Sequence, residues 1–144
     1  RLESYRLTKR KLALSSTETK LIMLPSRLVT WDFIARLPDS KLVGTVNLFK
    51  RRVSIVRSLE NVRHSFVQIL LESGLGRFFR EFTPFYHVHC KLEDDKLVAH
   101  FMDLRYRSKE GFLHNGFLIL DRDFNVEKAV FHPFNLSKRI NFNT

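Results

Sequence analysis

Apolar and polar residues alternate most clearly from Val29 to Leu37. Val29, Trp31, Phe33, Ala35 and Leu37 fall on one face, and Thr30, Asp32, Ile34 and Arg36 on the other. A period of two marks a half-buried strand. Pro38-Asp39-Ser40-Lys41 is a turn signal, and Leu42 to Phe49 returns as a second strand, so the two predict a hairpin. Ahead of them, residues 2–14 predict a short helix with Leu2, Tyr5 and Leu12 apolar, broken at Ser15-Ser16-Thr17. Pro25 interrupts the apolar run from Leu21 to Leu24.

After Val53-Ser54-Ile55-Val56, a short strand-like run, Ser58 is a candidate cap for a helix over 59–72. Its stripe is Val62, Phe66, Ile69 and Leu70, and Gly74 and Gly76 end it. A second short helix spans 75–82, before Pro84. The last third predicts strands over 85–92, 96–107, 112–120 and 126–131. Turns at Glu93-Asp94-Asp95-Lys96 and Asp121 to Asn125 separate them at hairpin spacing. Together these elements predict an α+β fold: one mainly antiparallel sheet of about six to seven strands, with two to three helices packed on it.

With 44% hydrophobic residues and 14 Phe, the 144-residue chain has the composition of a folded domain and not of a disordered one. Phe78, Phe79, Phe82, Phe85 and Trp31 read as core, since aromatics bury large apolar areas. The single cysteine, Cys90, excludes an internal disulfide framework and leans slightly toward a reducing compartment. The longest uncharged run, Gly111 to Leu120, falls well short of the roughly 20 residues a spanning helix needs. Taken alone the chain reads as soluble, and its start on Arg1 suggests a fragment or processed product.

Charge changes this picture. The net +10 lies wholly in residues 1–80, where 16 Lys/Arg face 6 Asp/Glu, while residues 81–144 carry 9 of each. The excess is concentrated in Arg6, Lys9, Arg10 and Lys11 and in Lys50, Arg51 and Arg52. Such residues can face anionic headgroups, an acidic protein partner or nucleic acid, or can simply form a solvated basic face. A nucleic-acid-binding or transcription-regulatory module is the alternative reading, although no helix-turn-helix, RNA-recognition or zinc-finger signature accompanies the charge.

Candidate chemistry is sparse. His87 and His89 share a face of a predicted strand and His114 joins them in one register, which makes the three weak candidates for metal ligands. Solvated or hydrogen-bonded histidine is the simpler reading, because no carboxylate is fixed nearby by spacing. Asp103, Arg105 and Arg107 alternate along one predicted strand face. They could dock an anion or a partner, or could satisfy each other as structural ion pairs. Cys90 and His89 are adjacent on a strand, face opposite ways and cannot form a catalytic pair. Gly74-Leu75-Gly76 lacks the Lys-Ser/Thr of a phosphate-binding loop. No active site is assigned; a self-contained enzyme would need a pocket holding several of His87, His89, His100 and Asp103.

Trp31 behind the Pro25 segment, Val43-Gly44-Thr45, the run from Phe78 to Tyr86 and Asp103-Leu104-Arg105-Tyr106-Arg107 stand in this order along the chain. In that order they resemble the C-terminal soluble region of the membrane-bound metal-dependent hydrolases, the LexA-binding, inner-membrane-associated hydrolase-like family. The resemblance implies that residues 1–19 are a juxtamembrane basic helix or linker and that 20–144 form one α+β domain. It implies a membrane-embedded N-terminal half as partner, with any divalent metal held there and no cofactor in this segment. It also implies a place on the cytoplasmic face of the cell membrane, in keeping with the positive-inside tendency. The expected role is then that of an accessory or regulatory domain.

Overall fold

The computed structural model describes residues 1–14, 19–62, 64–134 and 137–142. It divides into two compact units, Arg1–Glu60 and Asn61–Thr144.

The first unit holds helix α1 (Leu2–Lys11) and strands β1 (Lys20–Arg27), β2 (Thr30–Arg36), β3 (Ser40–Asn47) and β4 (Arg52–Glu60). The strands form an antiparallel meander in the order β1-β2-β3-β4. The predicted hairpin over Val29–Phe49 is present, with Phe33 opposite Gly44 and Trp31 opposite Val46. Leu7 of α1 packs with Met23, Phe33, Ala35 and Val46, and Trp31 lies partly buried against that core. Ile34 and Val43, on the other face of the sheet, are buried as well. Pro25 falls within β1, an outer strand of the sheet, beside a register shift at Pro25–Arg27. An edge is where a strand tolerates a residue without an N–H. Of residues 1–19, expected as a basic helix or linker, Leu2–Lys11 form helix α1, which packs on this sheet as part of the first unit. The expected break at Ser15-Ser16-Thr17 lies outside the described residues.

The second unit opens with helices α2 (His64–Glu72) and α3 (Gly74–Phe82) and continues as β5 (Tyr86–Glu93), β6 (Lys96–Asp103), β7 (Asn115–Leu120), β8 (Val126–His132) and β9 (Ile140–Asn141). These five strands are again a meander in chain order. The β5–β6 turn uses Asp94 and Asp95 at φ of 48° and 62°, as a two-residue hairpin loop with both central residues left-handed requires. Leu70, Leu75 and Phe79 from the helices close over Val88, Phe101, Leu118 and Phe131. Phe78, Phe79 and Phe82 meet Phe131 ring to ring at 4.8, 5.6 and 5.6 Å, so these aromatics fill a core. Gly116 of β7 sits beneath α3, where a Cβ would lie 2.6 Å from the Phe79 ring.

Among the described residues the fold is α+β with three helices, but the strands form two sheets of four and five and not one of six to seven. The α2–α3 pair separates β4 from β5 in the chain, and the two strands are not neighbours in a sheet. Ser58 caps no helix. It lies in β4 opposite Leu42, and the helix expected from residue 59 begins at His64. The serine that does cap is Ser73, whose hydroxyl accepts the Gly76 N–H at 3.0 Å, so Gly74 and Gly76 start α3 instead of ending α2.

Candidate functional site

The best-built polar cluster surrounds Asp103, the last residue of β6. Its side chain is fully buried. Arg105 donates from Nε at 3.0 Å and its backbone N–H at 3.1 Å to Oδ1, and from Nη2 at 2.8 Å to Oδ2. The Thr83 hydroxyl donates to Oδ1 at 3.3 Å, and His114 Nδ1 lies 3.2 Å from Oδ2. Thr83 Oγ1 in turn accepts the Phe85 N–H at 3.0 Å, so one carboxylate ties the end of α3 to the end of β6 and the start of β7. Burial works against the charge on Asp103, but the Arg105 hydrogen bonds and positive charge, helped by His114, hold its carboxyl below the ordinary range.

Aromatic rings line this cluster. The Arg105 guanidinium lies 5.7 Å from the Phe82 ring centre and 5.2 Å from that of Tyr106. His114 meets Phe82 edge-on at 5.2 Å and Tyr106 at 5.5 Å. Arg105, with 24% of its side chain exposed, has its fork occupied by Asp103.

The strand expected to run through residue 107 stops at Asp103. The backbone N–H of Arg105 bonds the Asp103 carboxylate, an i to i+2 turn that competes with extended pairing. Asp103, Arg105 and Arg107 therefore do not form a ladder on one strand face. Arg107 pairs by backbone with Phe112 across the connection to β7, and β7 begins at Asn115 and not at residue 112.

His114 joins Asp103 on the helix-covered side, among Phe82 and Phe131. His87 and His89 alternate with the core residue Val88 and so occupy the opposite face of β5. The structure does not bring the three together. Opposite His89 stands His100, which stacks on Phe117 at 4.5 Å and bonds Asn115 Oδ1 at 2.8 Å. Burial, with the charge of His89, lowers the His100 pKa against the raising effect of Asn115. Cys90 faces the core side, and burial raises its thiol pKa. Among the described residues no group of three or more His, Cys, Asp or Glu is placed to hold a metal.

The basic residues lie in the first unit, which carries 13 Lys/Arg against 5 Asp/Glu, a net +8. Arg6, Arg10 and Lys11 are exposed on α1 and Lys9 is half-buried. Arg6, Lys9 and Arg10 border an open depression of about 480 Å³ with Tyr5, Ala13 and Leu14. Lys50 and Arg51 are exposed in the β3–β4 turn, beside Phe49, and Arg52 is exposed at the start of β4. At the tip of the β1–β2 hairpin, Leu28 is also exposed. Periodicity absorbs Phe49 into a strand and passes over Leu28. Their signal in the sequence is a large apolar residue inside a turn, adjoining Arg27 in one case and Lys50-Arg51-Arg52 in the other.

The chain thus holds two α+β meanders, one strongly basic and one organised about a buried carboxylate. A family model, that of the YfhP C-terminal alpha/beta plait domain, matches residues 65–141, just over half of the chain, and the chain belongs to that family. The match spans α2 through β9 and so describes the second unit. No curated protein and no solved structure matches the chain. The resemblance to metal-dependent hydrolases does not hold, since the matching family is not one of them. The hydrolase label and metal dependence that it implied lose their support. Among the described residues, no helix is long and apolar enough to cross a membrane.

Proposed function

We propose that this chain is an accessory binding module that docks on an anionic membrane surface through its first unit. The observation that carries this reading is the exposed Lys50-Arg51-Arg52 turn within a unit of net charge +8. Among the described residues no ion pair engages these three side chains or Arg6, Arg10 and Lys11. In the second unit, by contrast, Arg105 and His114 both engage Asp103, which suits a structural role. The cytoplasmic leaflet is the anionic one, and each cation near it contributes about 1 kcal/mol. A cytoplasmic position at the membrane is therefore the setting that suits this charge.

Co-sedimentation with vesicles of rising anionic-lipid content, in the presence of duplex DNA, tests this reading. Replacing Lys50, Arg51 and Arg52 together by Gln should weaken binding roughly a hundredfold, at about 1 kcal/mol per cation. Unchanged binding by that variant, or displacement of the wild-type chain from vesicles by DNA, would favour a different partner. Displacement would point to nucleic acid.

A further inference from the structure

The basic turn does not stand alone at its end of the sheet. Arg27 pairs with Thr30, Thr30 with Asn47 and Asn47 with Arg52, so these four residues form one row across β1 to β4. Beyond that row project the tips of two hairpins, Leu28-Val29 and Leu48 to Arg51. The Leu48 N–H donates to the Val29 carbonyl at 2.9 Å and ties the two tips together. The second tip is fixed further by Lys50 N–H on Asn47 Oδ1 at 2.9 Å and by Arg51 N–H on the Leu48 carbonyl. Arg51 takes the left-handed backbone conformation (φ 48°) in that turn.

On these two tips stand the most exposed large apolar side chains of the first unit, Leu28 at 98% and Phe49 at 86%. Arg27 and Arg52 flank them at the two outer strands of the row, and Lys50 and Arg51 follow Phe49 directly. Among the described residues no ion pair engages Arg27. A single exposed apolar residue is ordinary on a protein surface, but here two stand on hairpin tips that are hydrogen-bonded to each other. Apolar tips within a collar of cations match the boundary of an anionic bilayer, where phosphates lie just outside the acyl region.

We propose that Leu28 and Phe49 insert into the acyl boundary of an anionic bilayer while Arg27, Lys50, Arg51 and Arg52 engage the headgroup phosphates. This rests on the membrane-docking reading and adds depth to it: contact by insertion and not by charge alone. The β1–β2 and β3–β4 hairpins then enter as one preformed unit, because the Val29–Leu48 bond holds them at a common level. Part of the binding survives salt, since apolar burial is not screened as surface charge is.

The 144-residue chain is mixed with phosphatidylcholine vesicles containing phosphatidylserine, and three proteins are compared. Phe49→Trp should show a blue-shifted emission on binding, beyond any change of Trp31 in the wild type, and protection from an aqueous quencher. The pair Leu28→Ser and Phe49→Ser should bind about tenfold more weakly, equivalent to about 1.4 kcal/mol, with an unchanged salt dependence. Both sites are solvent-exposed, and circular dichroism verifies that the variants fold. Vesicle binding by Phe49→Trp with no emission shift beyond that of the wild type, or normal binding by the serine pair, would overturn insertion while leaving charge-driven docking intact. Failure of the wild type to bind anionic vesicles would overturn both.

Discussion

Arg105 folds back past the end of β6 and grips the Asp103 carboxylate with Nε and Nη2, at 3.0 and 2.8 Å, while its own backbone N–H donates to the same group. A planar fork meeting a carboxylate in this way is among the stronger arrangements of a charge-assisted hydrogen bond. Because Asp103 is buried and Arg105 is not, removing the arginine strands a charge, whereas removing the charge leaves an arginine able to turn to water.

Asp103→Asn should therefore destabilise the second unit by about 3 kcal/mol, and Arg105→Ala by at least as much. Urea unfolding monitored by circular dichroism checks both. Equal stability of Asp103→Asn and wild type would contradict the structural role assigned to the cluster.

The same carboxylate predicts a pH dependence. Its folded pKa lies below the ordinary value of 3.8, so it binds fewer protons folded than unfolded as the pH falls past that value. Its contribution is fully present above about pH 4, and is lost as the pH drops further through the lowered folded value. Thermal midpoints measured between roughly pH 2 and 6 should show a steep acid limb that flattens in Asp103→Asn.

Gly116 leaves room for Phe79 and Leu75 to pack against the strand. The Cβ of Gly116→Ala would meet the Phe79 ring at 2.6 Å and Leu75 at 3.1 Å. The cost should be about 1–3 kcal/mol, as for other overpacked cores. Phe79→Leu in the same chain should recover part of that loss, a coupling that a double-mutant cycle measures.

Lys41, at the start of β3 and opposite Arg36, has its pKa lowered to about 8 by burial and by the Arg36 charge. Between that value and its ordinary 10.5 the unfolded chain holds the extra proton, so Lys41 makes stability rise with pH across this window. A Lys41→Met variant should lose that rise. Amine acetylation near pH 8, read by mass spectrometry, should label Lys41 ahead of a lysine at its ordinary pKa whose exposure is similar.

Local signals in the sequence predict much of the fold. Helix α1, the β2–β3 hairpin and the β5–β8 meander follow from apolar period and turn chemistry, down to Asp94-Asp95 between β5 and β6. Sheet number does not follow, because alternation marks a strand without naming its neighbour. One sheet and two sheets have the same period. Ser58 illustrates a local rule overruled: a good capping residue is drawn into β4 by pairing with Leu42. Asp103 and Arg105 are legible as a pair, but their meeting at a strand end is not, since it depends on the Arg105 N–H turning onto the carboxylate. His114 carries no local sign of Asp103, which stands eleven positions before it. Leu28 and Phe49 are apolar residues that turns leave outside any core, and only the paired hairpins show that they emerge together.

Membrane docking is tested most directly by equilibrium binding of the 144-residue chain to supported bilayers of neutral and of anionic composition. Binding should be weak on phosphatidylcholine alone, rise with phosphatidylserine content and fall only in part as salt is raised. Equal binding to both surfaces, or none to either, would contradict a role at an anionic membrane.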